Sequence, residues 1–123
     1  MRYLTDRKRA IGKGAAHTGT EHHWFMQVSA VGLAILVPIF VIAFGRILGG
    51  SYDEVRAFFG RPFVAILAGL TLFVGMRHFA AGATMMIEDY SQGTMRKTLI
   101  ITAISLSYVV IATGFYALIR LAL

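Results

Sequence analysis

The chain has 123 residues, 57% of them hydrophobic, and a mean hydropathy of +0.68. A soluble globule of this size needs more polar surface than this composition provides, so the sequence indicates a membrane protein. The net charge of +6 does not indicate nucleic acid, because the basic residues are scattered and lack the interleaved aromatic residues of a single-strand binder. The absence of cysteine excludes a disulfide and an iron–sulfur cluster held by thiolates of this chain.

Residues 1–23 form a polar, basic tail. Its charged residues are Arg2, Asp6, Arg7, Lys8, Arg9, Lys13 and Glu21. A signal peptide would contain an apolar core, and a transit peptide would have more serine and fewer acids, so we expect a retained tail. Such a tail can dock on anionic lipid headgroups or on an acidic partner, and the sequence leaves both open.

Three apolar stretches follow the tail. Residues 24–45 and 98–119 contain no charge, and residues 62–87 are interrupted only by Arg77 and His78. Each stretch reaches the roughly 20 residues that cross about 30 Å of hydrocarbon as a helix. The sequence therefore predicts an all-α membrane protein with one domain, residues 24–123, whose three transmembrane helices cover about residues 24–48, 62–89 and 97–121.

The loop charges predict the orientation of these helices. The loop of residues 49–61 balances its acids with arginines, whereas the loop of residues 90–97 carries Arg96 and Lys97 and no acid. By the positive-inside rule, the N-terminus is cytoplasmic and the C-terminus lies on the periplasmic side. The composition of the tail favours a bacterial cytoplasmic (inner) membrane over the mitochondrial inner membrane.

The second stretch contains one histidine, His78. An ionisable residue in hydrocarbon is a candidate functional residue, and helical spacing puts Gly82, Met85 and Asp89 on the same face. A haem iron is the best candidate partner for the imidazole, because the missing side chain of Gly82 would let a flat macrocycle approach the backbone. A histidine that hydrogen-bonds across the bundle or faces a water-filled cavity is the alternative, and small residues are also ordinary packing surface.

Three further residues in or just after this stretch are candidates for a functional role. Asp89 and Tyr90 lie about 17 Å along the axis from His78, at interface depth. They form either a helix end with an aromatic anchor, or a phenol that hydrogen-bonds a carbonyl headgroup beside a carboxylate that handles protons. Arg77 is deep in the span, where a guanidinium needs an anion or water. A haem propionate, a partner's carboxylate and a water-lined cavity all satisfy that need.

The motif His78-x-x-x-Gly82-x-x-x-x-x-x-Asp89-Tyr90, in the second of three spans after a tail ending in His22-His23-Trp24, resembles the small hydrophobic membrane anchor of succinate dehydrogenase, respiratory complex II. The resemblance implies a component of succinate:quinone oxidoreductase, non-catalytic alone, that serves the respiratory chain and the tricarboxylic acid cycle. It implies that His78 is an axial ligand of haem b, that Tyr90 contacts ubiquinone, and that Asp89 supports the quinone site or its proton supply.

The implied partners are a second membrane anchor, which supplies the second haem ligand, an iron–sulfur subunit and a flavoprotein subunit. That second anchor has a Ser-x-x-His-Arg-x-Thr-Gly-like signature before its first span, which is absent here and so favours the small hydrophobic anchor. Relatives of the small anchor often carry an arginine early in the first span, but residues 24–31 read WFMQVSAV. Either a partner supplies that charge or Arg77 takes over part of its role, and Gln27 and Ser29 are only candidate neighbours of the quinone headgroup.

Two rival functions remain open. A haem-free structural anchor needs only the spans, and the cytochrome b anchor of another membrane dehydrogenase would keep His78 without requiring Asp89 and Tyr90. A small multidrug transporter is excluded, because such proteins usually have four spans and a carboxylate inside the first. The remaining histidines, His17, His22 and His23, are expected in the tail or at the membrane interface.

Overall fold

The computed structural model describes residues 3, 5–11 and 20–122. Its elements are α1 (Asp6–Ile11), α2 (Thr20–Gly45), α3 (Tyr52–Phe59), α4 (Pro62–Tyr90) and α5 (Gly93–Ala122), with no strand among the described residues. Three of these helices, α2, α4 and α5, are long and apolar enough to cross a membrane. The predicted all-α membrane fold with three transmembrane helices is confirmed. The predictions that concern Arg2, Lys13, His17 and Leu123 lie outside the described residues.

The transmembrane helices extend beyond the apolar stretches that predicted them. The first, α2, begins at Thr20 rather than at residue 24 and ends at Gly45, where residues 46–49 form turns. The third, α5, begins at Gly93 rather than at residue 97. Hydropathy marks the edge of the hydrocarbon, whereas backbone hydrogen bonding continues into the interface. There Glu21 is favourably placed in the first turn of α2.

The short helix α3 between the first two spans was not predicted. It begins with a capping box, in which the Ser51 backbone N–H donates to Glu54 Oε2 at 2.7 Å and the Glu54 backbone N–H donates to Ser51 Oγ at 3.4 Å. These hydrogen bonds hold the pKa of Glu54 below its ordinary value. At the other end of α3, Phe59 is buried in a small core with Val64 and Ala68 of α4. This core fixes α3 against the end of the bundle.

The three long helices form a row with α4 in the middle. The backbone of α4 packs against both α2 and α5, whereas α2 and α5 do not approach each other in the described part of the chain. Small residues set the spacing: a Cβ added at Gly69 would lie 3.1 Å from Phe115 Cε1, and one at Gly114 would overlap Leu72. Close approach of this kind drives helix association in lipid, where the hydrophobic effect does not act between helices. Both faces of the row stay open.

Candidate functional site

His78 lies on the side of α4 that faces α2. Its side chain is half-buried, and its Nδ1 atom lies 2.8 Å from the Oγ of Ser29 on α2. Its Nε2 atom has no hydrogen-bond partner in residues 20–122, and no partnerless polar side-chain atom is buried among the described residues. Nε2 therefore reaches the surface of the chain. The imidazole has one nitrogen held within the protein and one that is available to a ligand.

Ser29 is buried and contacts both its own helix and His78. It is only 6% exposed, and its Oγ also lies 2.7 Å from the Phe25 carbonyl oxygen and 3.1 Å from that of Met26. Ser29 was expected beside a quinone headgroup together with Gln27. The structure places it beside His78, whereas Gln27, about 160° away around α2, lines an open recess of about 540 Å³. The two candidates of the first span lie on different faces of α2.

Gly82 lies one turn beyond His78 and also faces α2. A Cβ added there would lie 3.7 Å from Met26 Cε, an ordinary van der Waals distance. Within this chain, the position contacts a flexible methionine end. A neighbouring group can move such a side chain at small cost, because methionine has three rotatable bonds.

Arg77 lies about 100° around α4 from His78 and faces α5. Its Nη1 donates to the Tyr108 hydroxyl at 3.1 Å, and its guanidinium centre lies 5.8 Å from the Phe25 ring centroid and 5.9 Å from that of Tyr108. The guanidinium opens into a groove of about 380 Å³ that contains no carboxylate; its lining residues are His22, Phe25, Arg77, Ala80, Ala81, Thr84, Ile104 and Tyr108. Two aromatic faces and one hydroxyl thus stabilise the cation.

The sequence motifs did not single out Tyr108. Its position well inside the uncharged third stretch could have marked Tyr108 as a candidate, since a phenol away from water normally requires a hydrogen-bond partner. Ser29 and His78 carried a similar signal. They lie about 14 and 18 Å from the ends of their helices at residues 20 and 90, so the two polar side chains have similar depths.

Asp89 and Tyr90 end α4, about 18 Å along the axis from His78. Tyr90 is 87% exposed and Asp89 is exposed, so the described residues enclose neither side chain. The adjacent Glu88 forms an ion pair with Arg96 of α5 at 3.4 Å, whereas Asp89 has no ion pair within the described ranges. The side chains of Asp89 and Tyr90 are therefore open to groups from outside the described residues.

The donor set suits one class of metal site. The described residues contain no group of three or more His, Cys, Asp or Glu side chains that could hold a metal ion, and His22 and His23 are exposed on the first turn of α2. A bare metal ion in a protein site commonly takes three or four protein ligands. A single available imidazole nitrogen instead fits an axial position on iron that a porphyrin already holds.

Comparisons with known proteins identify the family of the chain. Residues 1–116 match the family model of the succinate dehydrogenase/fumarate reductase transmembrane subunit. A succinate dehydrogenase hydrophobic membrane anchor subunit of Paracoccus denitrificans is 50% identical over 123 residues, which is 100% of this chain and 95% of the relative. No solved structure matches the chain. The chain therefore belongs to the succinate dehydrogenase/fumarate reductase transmembrane subunit family, as a membrane anchor subunit of succinate dehydrogenase.

Proposed function

We propose that this chain shares a haem b with a second membrane anchor and forms part of a ubiquinone-reduction site. The observation that carries the haem assignment is His78, which has Nδ1 bonded to Ser29 and Nε2 open at the chain surface. His78 would hold the haem iron through its imidazole, together with a ligand from the second anchor. The haem would supply reversible one-electron chemistry beside the quinone site.

Arg77 and Gly82 are assigned supporting roles at this haem. Arg77 carries a full positive charge inside a span, and its groove contains no carboxylate. An anion from outside the chain is therefore favourable there, and a haem propionate is such an anion. Gly82, on the side of α4 that carries His78, leaves room for a macrocycle once the Met26 side chain moves.

Tyr90 and Asp89 are assigned to ubiquinone. The Tyr90 hydroxyl donates a hydrogen bond to a quinone carbonyl, in a pocket completed by the second anchor and the iron–sulfur subunit. Reduction to the quinol consumes two protons, so a titratable carboxylate nearby assists the reaction. Asp89 is assigned this role because Glu88 forms an ion pair with Arg96. Gln27 remains a candidate neighbour of the quinone from the exposed face of α2.

The proposed role places the chain in a four-subunit assembly. A flavoprotein subunit oxidises succinate, an iron–sulfur subunit transfers the electrons, and the two membrane anchors hold both at the membrane. The N-terminal tail faces the cytoplasm, where the loop with Arg96 and Lys97 also lies. The location is the bacterial cytoplasmic (inner) membrane.

Optical spectroscopy of the assembled complex tests the haem assignment. Reduced-minus-oxidised spectra are recorded for the complex purified by its soluble subunits, with wild-type, His78→Ala and His23→Ala chains. We expect a b-type signal that His78→Ala abolishes or shifts and that His23→Ala, an exposed histidine at the start of α2, leaves unchanged. An unchanged spectrum in His78→Ala would show that His78 is not a haem ligand. A complex without haem in all three samples would show that the chain is a haem-free anchor.

Quinone reductase activity tests the second half of the proposal. Tyr90→Phe keeps the ring and removes the hydroxyl, so we expect activity to fall by about tenfold or more, the effect of losing one hydrogen bond to a reacting group. Tyr116→Phe on α5, also exposed, serves as the matched control and retains full activity. Full activity in Tyr90→Phe would overturn the assignment of Tyr90 to ubiquinone.

A further inference from the structure

The Ser29 hydroxyl has one hydrogen to donate and lies near several polar atoms. Three acceptor or donor atoms lie within hydrogen-bond distance of its Oγ, namely the Phe25 and Met26 carbonyl oxygens and His78 Nδ1. A hydroxyl has one hydrogen to donate and two lone pairs that accept. The carbonyl oxygens can only accept. The contact with His78 is therefore the one in which Ser29 can act as either donor or acceptor.

The role of the imidazole decides that direction. If Nε2 binds iron, it carries no hydrogen, so the neutral ring must carry its hydrogen on Nδ1. Nδ1–H then donates to Ser29 Oγ, and the Ser29 hydroxyl donates to the Phe25 carbonyl oxygen at 2.7 Å. The hydrogen on Nδ1 and the hydrogen of the Ser29 hydroxyl then both have an acceptor. The opposite direction would put the ring hydrogen on Nε2, where the described part of the chain offers no acceptor.

We propose that Ser29 is a positioning residue that holds His78 in the Nδ1–H tautomer and fixes the plane of its ring. This inference rests on the proposed role of His78 as a haem ligand. Groups that accept the second N–H of a ligating histidine orient the ring and make it a stronger electron donor. Stronger donation favours oxidised iron, so Ser29 lowers the reduction potential of the haem.

A second buried serine shows that a serine in these spans does not need a partner on another helix. Ser107 of α5 is 2% exposed, and its Oγ donates to the Ala103 carbonyl oxygen at 2.8 Å with no further partner in the described structure. A serine inside a transmembrane helix is therefore satisfied by its own helix alone. Ser29 also bonds to its own helix, so its hydroxyl does not need the 2.8 Å contact with His78 to be satisfied. Ser107 provides a matched control.

The test measures the haem in the complete purified complex that carries Ser29→Ala, Ser29→Thr or Ser107→Ala. The readouts are haem per complex, the midpoint potential from redox titration, and the low-spin electron paramagnetic resonance signal of the oxidised haem. We expect Ser29→Ala to shift the midpoint potential positive and to move the resonance signal, because the ring loses its acceptor. Ser29→Thr keeps the hydroxyl and returns both readouts toward wild type, and Ser107→Ala changes neither.

The outcomes separate this inference from the haem assignment itself. Wild-type potential and resonance in Ser29→Ala overturn the role of Ser29 while His78 remains the ligand. Equal shifts in Ser29→Thr and Ser29→Ala also overturn it, because packing rather than the hydroxyl would then be responsible. Haem that survives unchanged in His78→Ala overturns the haem assignment. Should Ser29→Ala not assemble, Ser29→Cys, which keeps the volume but accepts weakly, takes its place with the same expected positive shift.

Discussion

Arg77 and His78 are adjacent in the chain, yet their side chains form hydrogen bonds with different helices. Successive side chains on a helix point about 100° apart, so His78 reaches Ser29 on α2 and Arg77 reaches Tyr108 on α5. The histidine has Nδ1 in a hydrogen bond with Ser29 and Nε2 at the surface of the chain. The arginine keeps its charge and is stabilised by two aromatic rings.

The contact of Tyr108 with Arg77 predicts a graded loss of stability. Tyr108→Phe removes the hydroxyl and keeps the ring face, so we expect a loss of about 0.5–1.5 kcal/mol in the free energy of unfolding. Tyr108→Leu also removes the ring, and we expect about 0.5–1 kcal/mol more. Unfolding of the purified complex in mixed detergent micelles measures both variants, with Tyr116→Phe as the control. Equal losses for the two variants would show that the ring face contributes nothing.

At the scale of the helices, α4 organises the chain. Most buried residues of the spans belong to it, namely Val64, Leu67, Ala68, Gly69 and Ala80. Its two neighbours each bury one side against it and leave the other sides to lipid or to other subunits. The candidate site residues Arg77, His78 and Tyr90 all lie on this central helix. Its position relative to α2 and α5 therefore determines the geometry of the site.

The packing of α4 on α5 depends on Gly114. A Cβ at this position would overlap the Leu72 side chain, and such overpacking typically costs about 1–3 kcal/mol. Replacement of a helical glycine by alanine gains only about 0.5–1 kcal/mol, so we expect Gly114→Ala to destabilise the complex. Gly45→Ala is the control, because a Cβ there has no neighbour within 4 Å. The midpoint temperature of unfolding measures the difference, and a higher midpoint for Gly114→Ala would mean that Leu72 moves away freely.

At the scale of the molecule, the three long helices of the described residues form a row with two open faces. An apolar groove of about 550 Å³ lies between α4 and α5, lined in part by Phe73 and Phe115, and the Arg77 groove opens between α2, α4 and α5. Large apolar side chains are exposed along all three spans. Such a chain buries little surface of its own, so lipid and the partner subunits must cover the rest.

The membrane orientation can be read with single cysteines, because the chain has none. We introduce Asp53→Cys at the start of α3 and Gln92→Cys between α4 and α5, both at exposed positions. With a cytoplasmic N-terminus, a membrane-impermeant maleimide should label position 53 in spheroplasts and position 92 only after the membrane is opened. The reverse labelling pattern would contradict the orientation that the loop charges predict.

The sequence by itself determined the class of fold and the three spans, and it named the residues of α4 that are candidates for the site. These features depend on local composition and on helical spacing, which a single stretch of chain records. The ends of the helices were predicted less well, and α3 was missed, because capping and interface hydrogen bonds do not depend on hydropathy. The motif His78-x-x-x-Gly82 with Asp89-Tyr90 was enough to identify the family.

Only the tertiary structure decided which side chains meet across helices. Ser29 and Gln27 are two residues apart in one uncharged stretch, and nothing in that stretch indicates that one faces His78 and the other faces outward. The partner of Arg77 is likewise 31 residues away in another helix. Contacts of this kind depend on the rotation and depth of each helix in the bundle. Rotation and depth are set by packing, through small residues such as Gly114 and Gly69, rather than by the pattern within any one span.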